Sequence, residues 1–289
     1  MVIAKITSGL GNQLFQYAFA RHLSIINRTD LYFDLRFYHS TYSKQSQRNF
    51  KLDHFNIPYK KMNTPMEYLS KATKIFPKRS CKPFFNLSKE EQYHFNSNIL
   101  QSKAYTITTE GYWHSEKYFS AINPLIRKEL IFTNTPSPSF EWYKQQITNA
   151  LNPISIHIRR GDYVTHPVFS ETFGFLGLDY YEKAIELIEK KIFSFTFFIF
   201  TDDVQWVKQN LGQQHQYIHV TTTGENADIE ELHLMSLCNH HIIANSSYSW
   251  WGAWLNNKAD KIVIGPKKWF NNQPTWNTKD LLPESWITT

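Results

Sequence analysis

The sequence predicts an α/β protein assembled from parallel βαβ units and divided into two domains. Three observations predict it. After about residue 140, apolar runs of strand length alternate with helical stretches of ten or so residues, the pattern of parallel strands joined through helices. At the N-terminus a strand, a Gly-containing turn and a helix follow one another, which is one β-turn-α unit. The 289-residue length suits one large or two ordinary domains, and two is the better reading because Thr133-Asn134-Thr135-Pro136-Ser137-Pro138-Ser139 makes a strong break. Domains of residues 1–135 and 136–289 follow, with the last residues free to pack back on the first.

Val2 to Thr7 reads as the first strand, Gly9-Leu10-Gly11-Asn12-Gln13 as the turn, and Leu14 to Ile26 as a helix with Leu14, Tyr17, Ala18, Arg21 and His22 at helical spacing. Leu31 to Leu35 is the second strand. From Arg36 to Asn98 the chain is rich in Lys, Tyr, Asn and Ser, which predicts loops and irregular helices. Thr106 to Thr109 leads as a strand into Glu110-Gly111-Tyr112-Trp113-His114. Tyr118 to Glu129 has helical character, yet Pro124 lies near its middle, where a proline breaks the hydrogen-bond ladder. Beyond the break the sequence predicts helices at Phe140–Leu151, Asp179–Lys191, Val204–Asn210, Asp228–Cys238 and Ser249–Asn256. Between them fall strands at Ile154–Ile158, Phe195–Thr201, Tyr217–Val220, His241–Ala244 and Lys261–Ile264.

Composition narrows the partners. Lys plus Arg number 31 against 25 for Asp plus Glu, a net charge of +6 and a pI near 9.1, which favours an acidic ligand, an anionic membrane surface or nucleic acid. The cations are scattered, with neither a Lys/Arg-rich helix nor a Cys/His finger spacing, so no nucleic-acid partner is read. Cys81 and Cys238 are too few for a disulfide framework and show no zinc spacing; a reducing compartment follows. The N-terminus is strand-like and reaches Gly9 too early for a signal peptide, and no uninterrupted apolar span crosses a membrane. A cytoplasmic protein is expected, and its basic surplus allows peripheral contact with the inner membrane.

Three strand ends carry candidate chemistry. In Ile154-Ser155-Ile156-His157-Ile158-Arg159-Arg160-Gly161-Asp162-Tyr163 alternation sends Ile154, Ile156 and Ile158 to one face and sets His157 beside Arg159 on the other. Gly161 lets the chain turn, and an Arg fork beyond a strand end suits phosphate oxygens. A surface ion pair closing the turn is the structural alternative. Phe197-Phe198-Ile199-Phe200-Thr201-Asp202-Asp203 delivers two acids, of which Asp203 or Thr201 can cap the next helix. Adjacent strand side chains diverge and no third ligand has matching spacing, so no metal is expected. Asn245, Ser246 and Ser247 stand where a strand stops and a helix begins, so hydroxyls, N–H groups and the positive helix end can meet a phosphate; a Ser cap is the alternative. Gly9-Leu10-Gly11 lacks the third glycine of a dinucleotide fingerprint and any Walker lysine, so a tight turn competes with a ligand role there. His240 and His241 read as structural. No Ser nucleophile elbow is present.

Together these motifs resemble glycosyltransferase family 11, the bacterial and animal α-1,2-fucosyltransferases. The resemblance rests on Gly9-Leu10-Gly11-Asn12-Gln13-Leu14-Phe15-Gln16-Tyr17-Ala18, on His157-Ile158-Arg159-Arg160-Gly161-Asp162-Tyr163-Val164, on Ile242 to Leu255 through Ser246-Ser247-Tyr248-Ser249-Trp250-Trp251, and on Ile264-Gly265-Pro266-Lys267-Lys268-Trp269. It implies two Rossmann-like domains facing a cleft (GT-B type) and inverting transfer of L-fucose from GDP-fucose to the 2-hydroxyl of a terminal β-galactoside, without a required metal or other cofactor. It further implies that His157 and Arg159 hold the diphosphate, Ser246 and Ser247 phosphate and ribose, and Asp202 the nucleoside region. Glu231 takes a guanine-contact position where relatives carry Asp. Gly9, Gly11, Asn12 and Gln13 line the opposite wall near phosphate and acceptor. Asp162 is the preferred proton acceptor, with His157, His166 and Glu171 as further candidates, and an ion pair orienting Arg159 or Arg160 is the competing role for Asp162. A membrane-borne, lipid-linked glycan is one open acceptor, alongside free galactosides.

Overall fold

The computed structural model describes residues 1–40, 48–75, 84–212 and 215–289. The chain forms two compact units, residues 1–133 with 276–283, and residues 134–275 with 284–289. Cys81 lies outside the described residues. Cys238 is a buried free thiol whose burial pushes its pKa up.

In the first unit, strands β1 (Val2–Lys5), β2 (Leu31–Asp34), β3 (Lys60–Lys61), β4 (Phe85–Lys89) and β5 (Thr106–Glu110) pair in parallel in the order β3-β2-β1-β5-β4. The chain steps outward from β1 to β3 on one side, and β4 and β5 fill the other. A topological switch point therefore lies between β1 and β5. Helix α1 (Leu10–Ile26) buries Leu14, Phe15, Tyr17, Ala18, Phe19 and Leu23, and α2 (Thr64–Ile75) follows β3. Helix α3 (Asn123–Glu129) resolves the proline conflict, because it starts at Asn123 and places Pro124 in the first turn, where a missing N–H is no loss. Glu129 of α3 accepts the Tyr17 hydroxyl and pairs with Arg21 at 2.8 Å, fastening α3 to α1.

Two expectations are corrected here. The Gly turn is shorter than predicted: α1 begins at Leu10, so Gly11, Asn12 and Gln13 lie in its first turn, and Gly9 is an ordinary extended cap with φ −81°. The left-handed residue is Ser8, φ 67°. Its conformation is held by the Gln13 side chain, which donates to the carbonyls of Ser8 (3.0 Å) and Asn49 (2.8 Å) and accepts from the Lys51 N–H at 2.9 Å. The stretch 36–98 also contains a full helix and a paired strand, α2 and β4. Phe85-Asn86-Leu87-Ser88-Lys89 lies at the sheet edge with one fully buried side chain, so it shows no buried-strand pattern.

The second unit has strands β6 (Pro153–Ile158), β7 (Thr196–Thr201), β8 (Tyr217–His219), β9 (His240–Ile242), β10 (Val263–Gly265) and β11 (Ile287–Thr288), parallel in the order β11-β10-β9-β6-β7-β8. Helices are α4 (Pro138–Asn149), α5 (Gly161–Thr165), α6 (Pro167–Thr172), α7 (Leu178–Glu189), α8 (Val204–Asn210), α9 (Ala227–Leu237) and α10 (Ser247–Leu255). Both sheet faces are covered, as an all-parallel sheet requires. Ile154, Ile156, Ile158, Phe197 and Ile199 pack with Tyr181, Ala184 and Ile188 of α7, whereas Phe198 and Phe200 pack with α4 and α9 through Phe140, Ile147, Leu234 and Met235. His241 is structural, bonded to Ser155 Oγ and Asn256 Nδ2 at 2.8 Å each. The short helices α5 and α6 and the final strand β11 were not predicted. At the chain end, residues 276–283 belong to the first unit, where Asp280 accepts the Phe95 N–H at 3.0 Å and pairs with Lys117 at 2.8 Å. Residues 284–289 belong to the second. Among the described residues no helix is long and apolar enough to cross a membrane.

Candidate functional site

The second sheet grows from β6 to β8 on one side and from β9 to β11 on the other, so its switch point lies between β6 and β9. Ligands of open parallel sheets bind beyond the strand ends at such a point. Here β9, β6 and β7 are neighbours; β6 and β7 are followed directly by Arg159 and Asp202, and β9 leads through residues 243–245 to Ser246-Ser247. The Arg159 guanidinium lies between two carboxylates, 2.7 Å from Asp162 and 2.9 Å from Asp202. It also stands 5.5 Å over the Tyr163 ring, whose hydroxyl donates to the Asn245 carbonyl at 3.1 Å. The three loops are thus tied into one cluster.

Asp202 is fixed further by accepting the Arg160 N–H at 2.9 Å. Burial pushes its carboxyl up, but Arg159 and the N–H groups of Arg160 and Gly161 outweigh that and hold it below the usual carboxylate range. Gly161 has a reason other than the turn: a Cβ there would lie 2.7 Å from Asp202 Oδ2. Asp203 caps α8 by accepting the Trp206 N–H at 3.2 Å and pairs with Arg160, whose guanidinium stacks 4.5 Å over Trp206. Its role is structural.

His157 carries no charge near neutrality, since burial lowers its pKa to about 3, with Asp202 opposing and Arg159 reinforcing the shift. Its ring lies 5.5 Å from Tyr248, and the buried Nδ1 has no partner. It can offer a ligand a hydrogen bond. Ser246 is the extended N-cap of α10, but its hydroxyl makes no capping bond, and Ser247 is the first helical residue. The first N–H groups of α10 are thus uncapped by Ser246, as an anion site at a helix start requires.

Glu231 projects from α9 and accepts the N–H and hydroxyl of Thr222 at 3.1 and 3.3 Å. Burial raises its carboxyl to about 7, partly opposed by those Thr222 bonds. Two anticipated ligand residues have their amide hydrogens engaged within the protein, although the buried Asn245 Oδ1 has no partner. The Asn245 Nδ2 donates to the carbonyls of Phe173, Gly174 and Trp269, so both its hydrogens clamp loops. Gln13 in the first unit has its amide fully engaged at the Ser8 turn, and Gly11 is buried inside α1. Asn12 accepts from His114 Nε2 at 2.9 Å. Sequence reasoning gave Tyr163 and Tyr248 no role, although both lie within the motifs; aromatic residues in a helix start read as packing until the loops they bridge are known.

Two doubly wound parallel units, one presenting an Arg fork and a helix start uncapped by its Ser246 at the switch point, are the architecture of GT-B glycosyltransferases. The chain belongs to glycosyl transferase family 11, whose family model matches residues 1–289. It is 33% identical to the O-antigen biosynthesis glycosyltransferase WbnK of Escherichia coli, covering 98% of each chain. It is equally 33% identical to an Escherichia coli α-1,2-colitosyltransferase, covering 99% of this chain and 98% of the relative. Among solved structures it is similar in fold to the NodZ α-1,6-fucosyltransferase soaked with GDP-fucose, with TM-score 0.56, 16% identity, and coverage of 88% and 91% of the two chains.

Proposed function

We propose that this protein transfers L-fucose from GDP-β-L-fucose to the 2-hydroxyl of a terminal β-galactoside, with inversion and without a metal, in the synthesis of an O-antigen or related surface glycan. The observation that carries the reading is Arg159, held at the switch point between Asp162 and Asp202 and tied through Tyr163 to the Ser246-Ser247 helix start. The anomeric carbon–oxygen bond breaks with its electron pair going to the β-phosphate of GDP, while the galactose oxygen attacks from the opposite face. Fixed donors must meet the charge that builds on the leaving diphosphate, and the Arg159 fork with the α10 N–H groups can do so. These loops carry two guanidiniums and three carboxylates, so a pyrophosphate binds by taking an arm of Arg159 from a carboxylate. Taking the arm that holds Asp162 frees that carboxylate to accept the hydroxyl proton.

A second donor has a specific observation behind it. The 33% relative named as a colitosyltransferase makes GDP-colitose, the 3-deoxy counterpart, the competing substrate. The test incubates the protein with either donor and a panel of β-galactosides in the presence of EDTA, and reads product mass and linkage. An α-1,2-fucosylated galactoside is the expected product. Binding of GDP-fucose with no transfer to any galactoside would instead make this a non-catalytic nucleotide-sugar-binding protein. A lipid-linked glycan, met transiently at the membrane, belongs in the same acceptor panel.

A further inference from the structure

The switch point of the first unit, between β1 and β5, opens into a pocket of about 450 Å³, within the size range of small-ligand sites. Its walls combine aromatic faces and a fixed carboxylate. The Tyr93 and Trp276 rings lie 4.9 Å apart at a 40° tilt. Glu90 accepts the successive backbone N–H groups of Tyr112 (2.6 Å) and Trp113 (3.0 Å). That turn is strained, with the buried Trp113 at φ 64°, and it closes only because residue 111 is glycine: a Cβ there would lie 2.4 Å from Glu90 Cβ. Strain of this kind persists where the surrounding structure enforces it, and it clusters at ligand sites.

The strand ends on either side are locked by a residue of the N-terminal motif. Gln16 accepts the Thr7 N–H at 2.8 Å, and its amide donates to the Thr7 hydroxyl and to the Gly111 carbonyl at 3.0 and 3.1 Å. Burial lifts the Glu90 carboxyl to about 7, opposed by the N–H groups of Trp113, Tyr112 and His114. The other charged side chains on the walls are Lys5, paired with Glu110 at 2.6 Å, together with Lys89 and Glu91. Three carboxylates face two ammonium groups there.

We infer that this pocket holds the terminal sugar of the acceptor, an uncharged hexopyranoside whose C–H face lies on Tyr93 and Trp276 and whose hydroxyls donate to Glu90. A sugar pairs an apolar face with vicinal hydroxyls, and the pocket pairs aromatic rings with an oriented hydrogen-bond acceptor. This rests on the transferase reading above, and the experiment separates the two.

Lactose serves as acceptor with GDP-fucose as donor, and Glu90→Gln is compared with Trp276→Ala, which leaves the strained turn untouched. Each variant is expected to raise the lactose KM at least tenfold, with kcat changed less and with GDP affinity, read by titration calorimetry, within about twofold of wild type. Saturation-transfer NMR reads contact between lactose and the protein without any turnover and should weaken in both variants. Folded variants with unchanged lactose KM and unchanged NMR contact would overturn the inference, as would a wild-type protein that makes no contact with lactose. Wild-type lactose contact that is lost in both variants, without transfer, would uphold the pocket and remove the proposed reaction.

Discussion

At the scale of single residues, the second unit is organised around one guanidinium. Arg159 holds Asp202 with one arm and Asp162 with the other, a geometry a lysine cannot reproduce, because an ammonium is a point charge without a planar fork. Arg159→Lys should therefore lower kcat by about 100-fold or more, the scale of losing one fixed donor to a developing oxyanion, while the thermal midpoint stays near that of wild type. Full turnover in that variant would remove Arg159 from the chemistry. Asp162 has two competing roles that differ in sign. If a pyrophosphate displaces it and leaves it to accept the hydroxyl proton, Asp162→Asn should lower turnover by about 100-fold and keep or tighten GDP affinity, since a competing anion is gone. A clear loss of GDP affinity would make Asp162 a positioning residue for Arg159. How far the sequence could reach is plain from these residues. Spacing placed His157, Arg159, Asp202 and Ser246 at strand ends, but it could not reveal that Asn245 clamps three carbonyls or that His157 is uncharged, because both depend on chain segments distant in sequence.

At the scale of elements, the donor-side helix α10 is set by its packing on α9. Gly252 faces Met235, and an added Cβ would lie 2.9 Å from the Met235 Cβ, an atom that cannot swing away. Gly252→Ala gains about 1 kcal/mol in helix propensity, yet overpacking costs about 1–3 kcal/mol. The expected net effect is destabilisation, read as a lower thermal midpoint, and a midpoint equal to or above wild type would show that the two helices shift freely. The elements that were legible carry a clear local signal: helical or alternating spacing in α1, α7 and β6, and a continuous apolar run in β7. Of those that were not, α5, α6, β3, β4 and β11 are short or lie at sheet edges, where neighbours rather than side-chain pattern decide the conformation, and only α2 is a full-length helix, set in a stretch rich in Lys, Tyr, Asn and Ser.

At the scale of the whole molecule, each unit carries a buried neutral histidine near its switch point. Burial lowers both His114 and His157 to about 3 from an ordinary value of 6.5. Below pH 6.5 the unfolded chain takes up these protons while the folded chain does not, so the stability owed to these two rings is intact above pH 6.5 and falls as pH decreases toward 3. Each ring contributes a slope of about 1.4 kcal/mol per pH unit across that window. Glu90 and Glu231, raised to about 7, take up protons in the folded chain between pH 7 and 4.5 and offset that decline. Urea unfolding should therefore show it between pH 4.5 and 3, and a flat profile there would mean that water reaches the rings.

The sequence by itself determined the class of fold and the order of four motifs, because periodicity, turn residues and strand-end chemistry are local properties of a chain. Only tertiary structure decided which strand ends are neighbours: β6 lies beside β9, and β1 beside β5, across gaps of about 80 and 100 residues. Sheet order is set by burying both faces under helices, a global requirement. It is what brings the Arg159 and Ser246 loops together and opens the pocket beside Glu90.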